Sequence, residues 1–314
     1  VKKILLVILV FSFIGLNAQQ QQHFTHFMYN KLYLNPGYAG DQDYTSLSVL
    51  YRDQWSGLAG APEAQVFSAN FGGFENIGFG MVIDRQTIGI QESVSVGGMY
   101  AYKLIINDMT ISAGLSGSFR RFSEDFTDPS LIAIQGLSSD PAIPQEIFNK
   151  NIINAGVGFY LKTNNFFLGA SSPRLIKAQL EEDNNNFLSE EVRHFYLMGG
   201  MTFYINDKLT FTPQALVKLA ENSPFDLDLN FGVTMDEKYT VGLNYRYGGN
   251  DGGLGESIDL MFNFQLNESL LFGIAQDFTL SDISNYESGS LEAFVRYAFI
   301  KKKPKTVMIN PRYF

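Results

Sequence analysis

FDLDLNFGVTMDEKYTVGLNYRY, residues 225–247, is the stretch whose reading decides the fold. Phe225, Leu227, Leu229, Phe231, Val233 and Met235 alternate with Asp226, Asp228, Asn230, Gly232, Thr234 and Asp236. After the polar turn at 236–238, Tyr239, Val241, Leu243, Tyr245 and Tyr247 alternate with Thr240, Gly242, Asn244, Arg246 and Gly248. Successive side chains of a strand point to opposite faces, so each run is a strand with one apolar and one polar face. The same period recurs where Val94, Val96, Tyr100, Tyr102 and Leu104 alternate with Ser93, Ser95, Met99, Ala101 and Lys103. It recurs again over 291–299, against Glu292, Phe294, Arg296 and Ala298. The polar faces are expected to be wet, and Asn244→Ala on such a face is expected to do little.

A soluble β-sandwich also alternates, so strand length and connection pattern must choose. Candidate strands are 44–53, 64–72, 76–84, 93–105, 109–122, 151–162, 166–172, 192–205, 209–219, 225–235, 239–247, 257–266, 270–280 and 289–299. Most exceed the globular average of about 5–6 residues and match the about 9–11 of a tilted membrane strand. Short turns at 73–75, 107–108, 163–165, 206–208, 236–238 and 267–269 alternate with longer connections at 54–63, 85–92, 123–150, 173–191, 220–224, 248–256 and 281–288. That is the plan of an all-β, transmembrane, antiparallel outer-membrane β-barrel of about 14 strands. An even count puts both chain ends in the periplasm and the longer loops outside.

Residues 1–18 carry Lys2 and Lys3 ahead of an apolar run from Ile4 to Ile14 and end on Ala18, the pattern of a secretory signal peptide. The expected organisation is therefore 1–18 signal peptide, 19–43 an N-terminal periplasmic or plug segment, 44–299 barrel and 300–314 a periplasmic tail. No later stretch is apolar long enough for a membrane helix. The chain has no cysteine, which removes disulfides and thiolate metal sites, and its net charge of -9 offers no basic stripe to nucleic acid. His23, His26 and His194 are the only histidines, and none stands in a hydrolase or metal motif. No enzymatic activity and no cofactor are expected. The glycines between Gly248 and Gly255 read as a flexible surface loop. Polar faces contribute Arg52, Lys103, Arg120, Lys162, Lys218, Arg246 and Arg296 together with Asp226, Asp228, Asp259 and Glu292. Both signs are present, which predicts ion pairs across a narrow, packed or plugged interior, where an ion-selective pore would favour one sign.

Three stretches escape the alternation: HFTHFMYNKLYLNPGYAG at 23–40, YRDQWSGLAGAPEAQ at 51–65, which holds the only Trp, and KKKPKTVMINPRYF at the C-terminus. Tyr33-Leu34-Asn35-Pro36 with Ala39-Gly40, then Tyr51-Arg52-x-Gln54-Trp55 with Gly60-Ala61-Pro62, then Asn310-Pro311-Arg312-Tyr313-Phe314 together resemble the PorP/SprF family of the type IX secretion and gliding apparatus. Gly37 departs from the Ala expected there. The resemblance implies a non-enzymatic outer-membrane protein that supports export and surface anchoring of large adhesins through their C-terminal sorting domain. It also implies periplasmic partners: an OmpA-like peptidoglycan-binding linker and the secretion ring proteins. Candidate partner-binding residues are Arg52, Gln54, Trp55, Pro62, Asn35, Pro36, Pro311, Arg312, Tyr313 and Phe314. In the first loop Gly and Pro fix the backbone while Arg and Trp supply the usual interface anchors. The alternative is a plugged transport barrel for a small or hydrophobic solute, with 23–40 as its plug.

Overall fold

The computed structural model describes residues 22–129, 131, 146–179, 190–221, 223, 225–248 and 255–300. The signal-peptide pattern, the C-terminal tail with Pro311, Arg312, Tyr313 and Phe314, and most of the 248–256 glycine loop lie outside the described residues.

The alternating stretches form β1 Thr45–Asp53, β2 Glu63–Phe71, β3 Ile77–Ile88, β4 Gln91–Ile106, β5 Met109–Asp125, β6 Ile147–Lys162 and β7 Phe166–Ser172. A two-residue hairpin, β8 Ala178–Gln179 with β9 Glu190–Glu191, sits in the connection that follows. Then come β10 His194–Met201, β11 Phe203–Asn206, β12 Leu209–Ala220, β13 Asp226–Met235, β14 Tyr239–Tyr247, β15 Ser257–Gln265, β16 Leu270–Thr279 and β17 Ser290–Phe299. Neighbours in sequence pair antiparallel, β1 pairs with β17, and β10 pairs with β12, so the sheet closes as a barrel of 14 strands with one extra strand. The extra strand is β11: the run expected as one strand over 192–205 breaks at Thr202, and a bulge at Tyr204/Asn206 shifts the register against β12. Each β7–β10 and β10–β12 ladder is continuous, so closure does not depend on β11.

The expected connection at 85–92 is mostly strand. Ile88 pairs with Gln91, and a tight turn through Gly89, in the left-handed region at φ 55, joins β3 to β4. Gly89 can take this conformation because it has no Cβ. β3 to β6 thereby outgrow their neighbours, with up to 17 residues in β5 against nine in β1. The extra length rises on the long-loop rim.

Outward positions are apolar and bare: Leu115 is 61% exposed, Ile153 73%, Val241 58% and Ile274 58%. Such a continuous apolar surface would be unstable in water and matches hydrocarbon. Aromatic pairs gird the short-turn rim, among them Phe79–Tyr100 at 5.6 Å, Tyr239–Phe264 at 5.3 Å and Tyr297–Phe299 at 4.9 Å, as interfacial rings do. The inner face is not wet. Asp228, Asn244, Asp259, Asn263 and Glu292 are fully buried, because the chain that precedes β1 lies inside the barrel.

Candidate partner-binding site

Residues 23–40 run through the lumen as a chain of short turns, with one helical turn at Lys31–Leu34 and a 3-10 turn at Pro36–Tyr38. Phe24, Phe27, Met28, Leu32, Tyr33 and Leu34 are buried in one core with wall residues Leu50, Val82, Tyr160, Tyr196, Leu216 and Phe294. Asn35 shapes the second turn. Its side chain accepts from Gly37 N at 2.8 Å and donates to Phe159 O at 2.9 Å. A Cβ on Gly158 would stand 2.0 Å from Asn35 Oδ1, and one on Gly114 would stand 2.3 Å from Pro36 O. Glycine on those inner positions is what admits the Asn35-Pro36 turn. Below it, Lys103 Nζ donates to Gly40 O at 2.8 Å, and Lys162 pairs with Asp41 at 2.8 Å.

On the opposite wall the contacts are ionic. The backbone N–H groups of Thr25 and His26 donate to the Glu292 carboxylate at 2.9 and 2.7 Å, and His26 Nδ1 lies 2.6 Å from the same group. Arg52 bridges Asp277 at 2.5 Å and Glu292 at 3.3 Å. Arg246 reaches Asp228 at 2.9 Å and both Asp259 and Asp277 at 3.4 Å. Lys218 pairs with Asp228 at 2.6 Å and also meets His23 Nδ1. Charges so enclosed are tolerable only when paired and hydrogen-bonded, and here the N-terminal segment supplies several of the bonds. Asn244 belongs to this network, donating to Asp259 at 2.7 Å. Its replacement by Ala is therefore not the neutral change that a wet face would allow.

The loop after β1 stands directly above these ions. Gln54 N donates to Pro62 O at 2.9 Å, closing the loop, and Gln54 is buried at its foot. Trp55 adopts the left-handed region at φ 55, rare for a bulky side chain and costly by about 1–3 kcal/mol. It is held there from the β16–β17 side: Trp55 N donates to Ser290 Oγ at 3.1 Å, Ser56 N to Gly289 O at 2.8 Å, and Ser288 N to Ser56 O at 2.9 Å. From the other side Gly89 N donates to Gly60 O at 2.9 Å. Loop, hairpin and β16–β17 connection thus form one braced crest. Its exposed apolar surface is Leu58 and Ile88, while Trp55 is half-buried.

The structure therefore divides the expected site residues. Trp55 and Pro62 belong to the crest, with Gln54 at its foot; Arg52 sits 1% exposed in the ion network beneath, where no partner can touch it in this arrangement. Asn35 and Pro36 are buried in the lumen.

A protein-family model, "Type IX secretion system membrane protein PorP/SprF", matches residues 16–297. The chain belongs to the PorP/SprF family. This PorP/SprF member is accordingly an outer-membrane component of type IX secretion that works with the secretion machinery. No curated protein matches the chain. Among solved structures it is similar to a KdgM porin, at 12% identity, covering 81% of this chain and 99% of that one with TM-score 0.38. It is also similar to the Pseudomonas putida toluene transporter TodX, at 10% identity, 88% and 94% coverage and TM-score 0.49. A Pseudomonas aeruginosa FadL homologue gives 11% identity, 85% and 93% coverage and TM-score 0.47.

Sequence reasoning missed Asp277, the carboxylate shared by Arg52 and Arg246, although it occupies an inner position of β16 two residues beyond the small, buried Ala275. It also missed Thr25 and His26 as anchors of the PorP/SprF lumen segment. Their bonds run from backbone N–H groups, which no sequence pattern displays. Ile88 was hidden because 85–92 reads as a loop.

Proposed function

We propose that this barrel anchors an exported adhesin at the cell surface through the adhesin's C-terminal sorting domain. Beneath the membrane it connects to an OmpA-like peptidoglycan-binding linker and to the secretion ring proteins. It is a holder and not a conduit. The observation that supports this reading is the filled lumen capped by a braced crest: residues 23–40 are fastened to both walls, and the loop over them is tied to its neighbours on both sides. A rigid apolar surface binds without paying for loop ordering. In this reading the longer loops face outside, the signal peptide is removed near Ala18, and the protein has no catalytic role.

The experiment is affinity capture of the tagged full-length barrel from membranes, with quantitation of whole-cell adhesin in variants at matched barrel abundance. The adhesin and the periplasmic linker should be recovered together. Leu58→Asp combined with Trp55→Ala should lower surface adhesin several-fold, as expected when a central anchor pair is lost. Undiminished surface adhesin in that double variant would remove the crest from the anchoring role.

A further inference from the structure

β5 and β6 pair without interruption from Thr110↔Lys162 to Asp125↔Ile147, whereas β7 accompanies β6 only from Val157 to Lys162. The connection after β7 covers a little more. Leu175 N donates to Ala155 O at 2.9 Å, and the Asn154 side chain exchanges bonds with the Ile176 backbone at 2.8 and 2.9 Å. Residues 147–153 then have β5 on one side and, among the described residues, no strand or hydrogen-bonded segment on the other. Every second residue of a strand turns its N–H and C=O away from a given neighbour, so this stretch presents an open ladder edge of about 23 Å. A barrel normally abolishes such edges.

The edge stands in water. On the outward face the apolar band stops at Phe119 and Ile153, and above it lie Arg121 bonded to Asn149 at 2.9 Å and Arg85 paired with Glu92 at 2.6 Å, all exposed. The inward face differs: Phe148 and Ile152 pack with Phe122 as a small apolar cluster, and Lys150 falls between them on the same face.

We infer that the edge of β6 over 147–153 receives an extended strand of the exported partner by β-strand addition, an inference that rests on the anchoring role above. Main-chain hydrogen bonds supply the attachment, and alternate side chains supply the choice of sequence. Beside Phe148, Lys150 and Ile152 the fitting strand carries apolar, acidic and apolar residues in turn. Beside Asn149 and Asn151 it carries polar ones.

The test uses the full-length barrel in lipid nanodiscs and, as probe, the purified C-terminal domain of the adhesin recovered in the capture experiment. Amide hydrogen exchange is followed across 147–153. Slowed exchange at alternate amides on binding is the expected result, with Lys150→Glu weakening affinity about tenfold or more in a barrel that stays folded. Binding with no protection of these amides overturns the inference and leaves the anchoring role standing. A capture that recovers no adhesin, or a probe that does not bind, overturns both. Protection that grows with barrel concentration alone assigns the edge to a second copy of this chain and overturns the inference as stated.

Discussion

On the side of β12–β17 and β1 the barrel wall meets residues 23–26 with charge, whereas on the side of β3–β7 it meets residues 35–41 largely with glycine and backbone. The charged side binds the segment through Glu292, Asp277 and Asp259, whose bonds reach Thr25 and His26. The glycine side binds it by removing Cβ atoms, at Gly114 and Gly158, from where the Asn35-Pro36 turn must lie. The two devices fail differently. Removing one ion leaves its partners buried and uncompensated, so wall and segment suffer together. Adding one Cβ on the other side evicts the turn but leaves the ladder beneath it intact.

The largest effect is therefore expected on the charged side. Arg246→Leu leaves Asp228, Asp259 and Asp277 without their shared cation, which should cost about 3–5 kcal/mol and deplete the heat-modifiable, folded form on gels. Asn244→Ala, which strips one bond from buried Asp259, should cost about 1–3 kcal/mol by the same assay. Gly158→Val is the counterpart on the glycine side. Overpacking costs about 1–3 kcal/mol, and it should fall on the segment alone. The barrel should keep its heat-modifiable form while amides of 31–41 exchange faster. Equal loss of the folded barrel in Arg246→Leu and Gly158→Val would erase the distinction between the two sides.

Much of the barrel is legible in the chain because a period of two, sustained over nine residues or more, has one physical reading. The lipid face needs only apolar side chains, so Val241 and Leu243 declare it without knowledge of their neighbours. Asn244 shows where that reasoning stops. Its polarity marks the inner face, but whether it meets water or Asp259 depends on what fills the lumen. The filling segment has no period because it is shaped turn by turn against a wall already built. Asn35 and Pro36 announce a turn; that the turn is seated on Gly114 and Gly158 is a contact between residues more than 75 apart. The same limit explains Arg52. Its spacing from Trp55 suggests one surface, yet alternation turns Arg52 inward as the strand ends, and the loop begins only at Gln54.

The smallest expected effect lies where the two devices meet, at Lys31. Its ammonium stands 3.5 Å from the Phe167 ring centroid and donates to Tyr160 Oη at 3.5 Å. Burial pushes its pKa down from 10.5 to about 8, Asp41 opposes that shift, and Lys162 adds to it. The segment released from the wall regains the ordinary lysine value. Between about 8 and 10.5 the seated form then holds fewer protons than the released form, so seating tightens as pH rises through that window and is unaffected by Lys31 below it. The cation–π contact works the other way, favouring the charged form by about 0.5–1 kcal/mol. Because the pKa is lowered despite that contact, the cost of burying the charge is the larger effect. Lys31→Met should thus seat the segment slightly better than the parent at pH 7 and abolish the gain between pH 8 and 10.5. The measurement is amide exchange over 31–41, corrected for the intrinsic pH dependence of exchange. Looser seating in Lys31→Met, or seating that weakens as the parent is taken from pH 8 to 10, would show that the ring contact outweighs burial and that Lys31 is a third attachment, distinct from both walls.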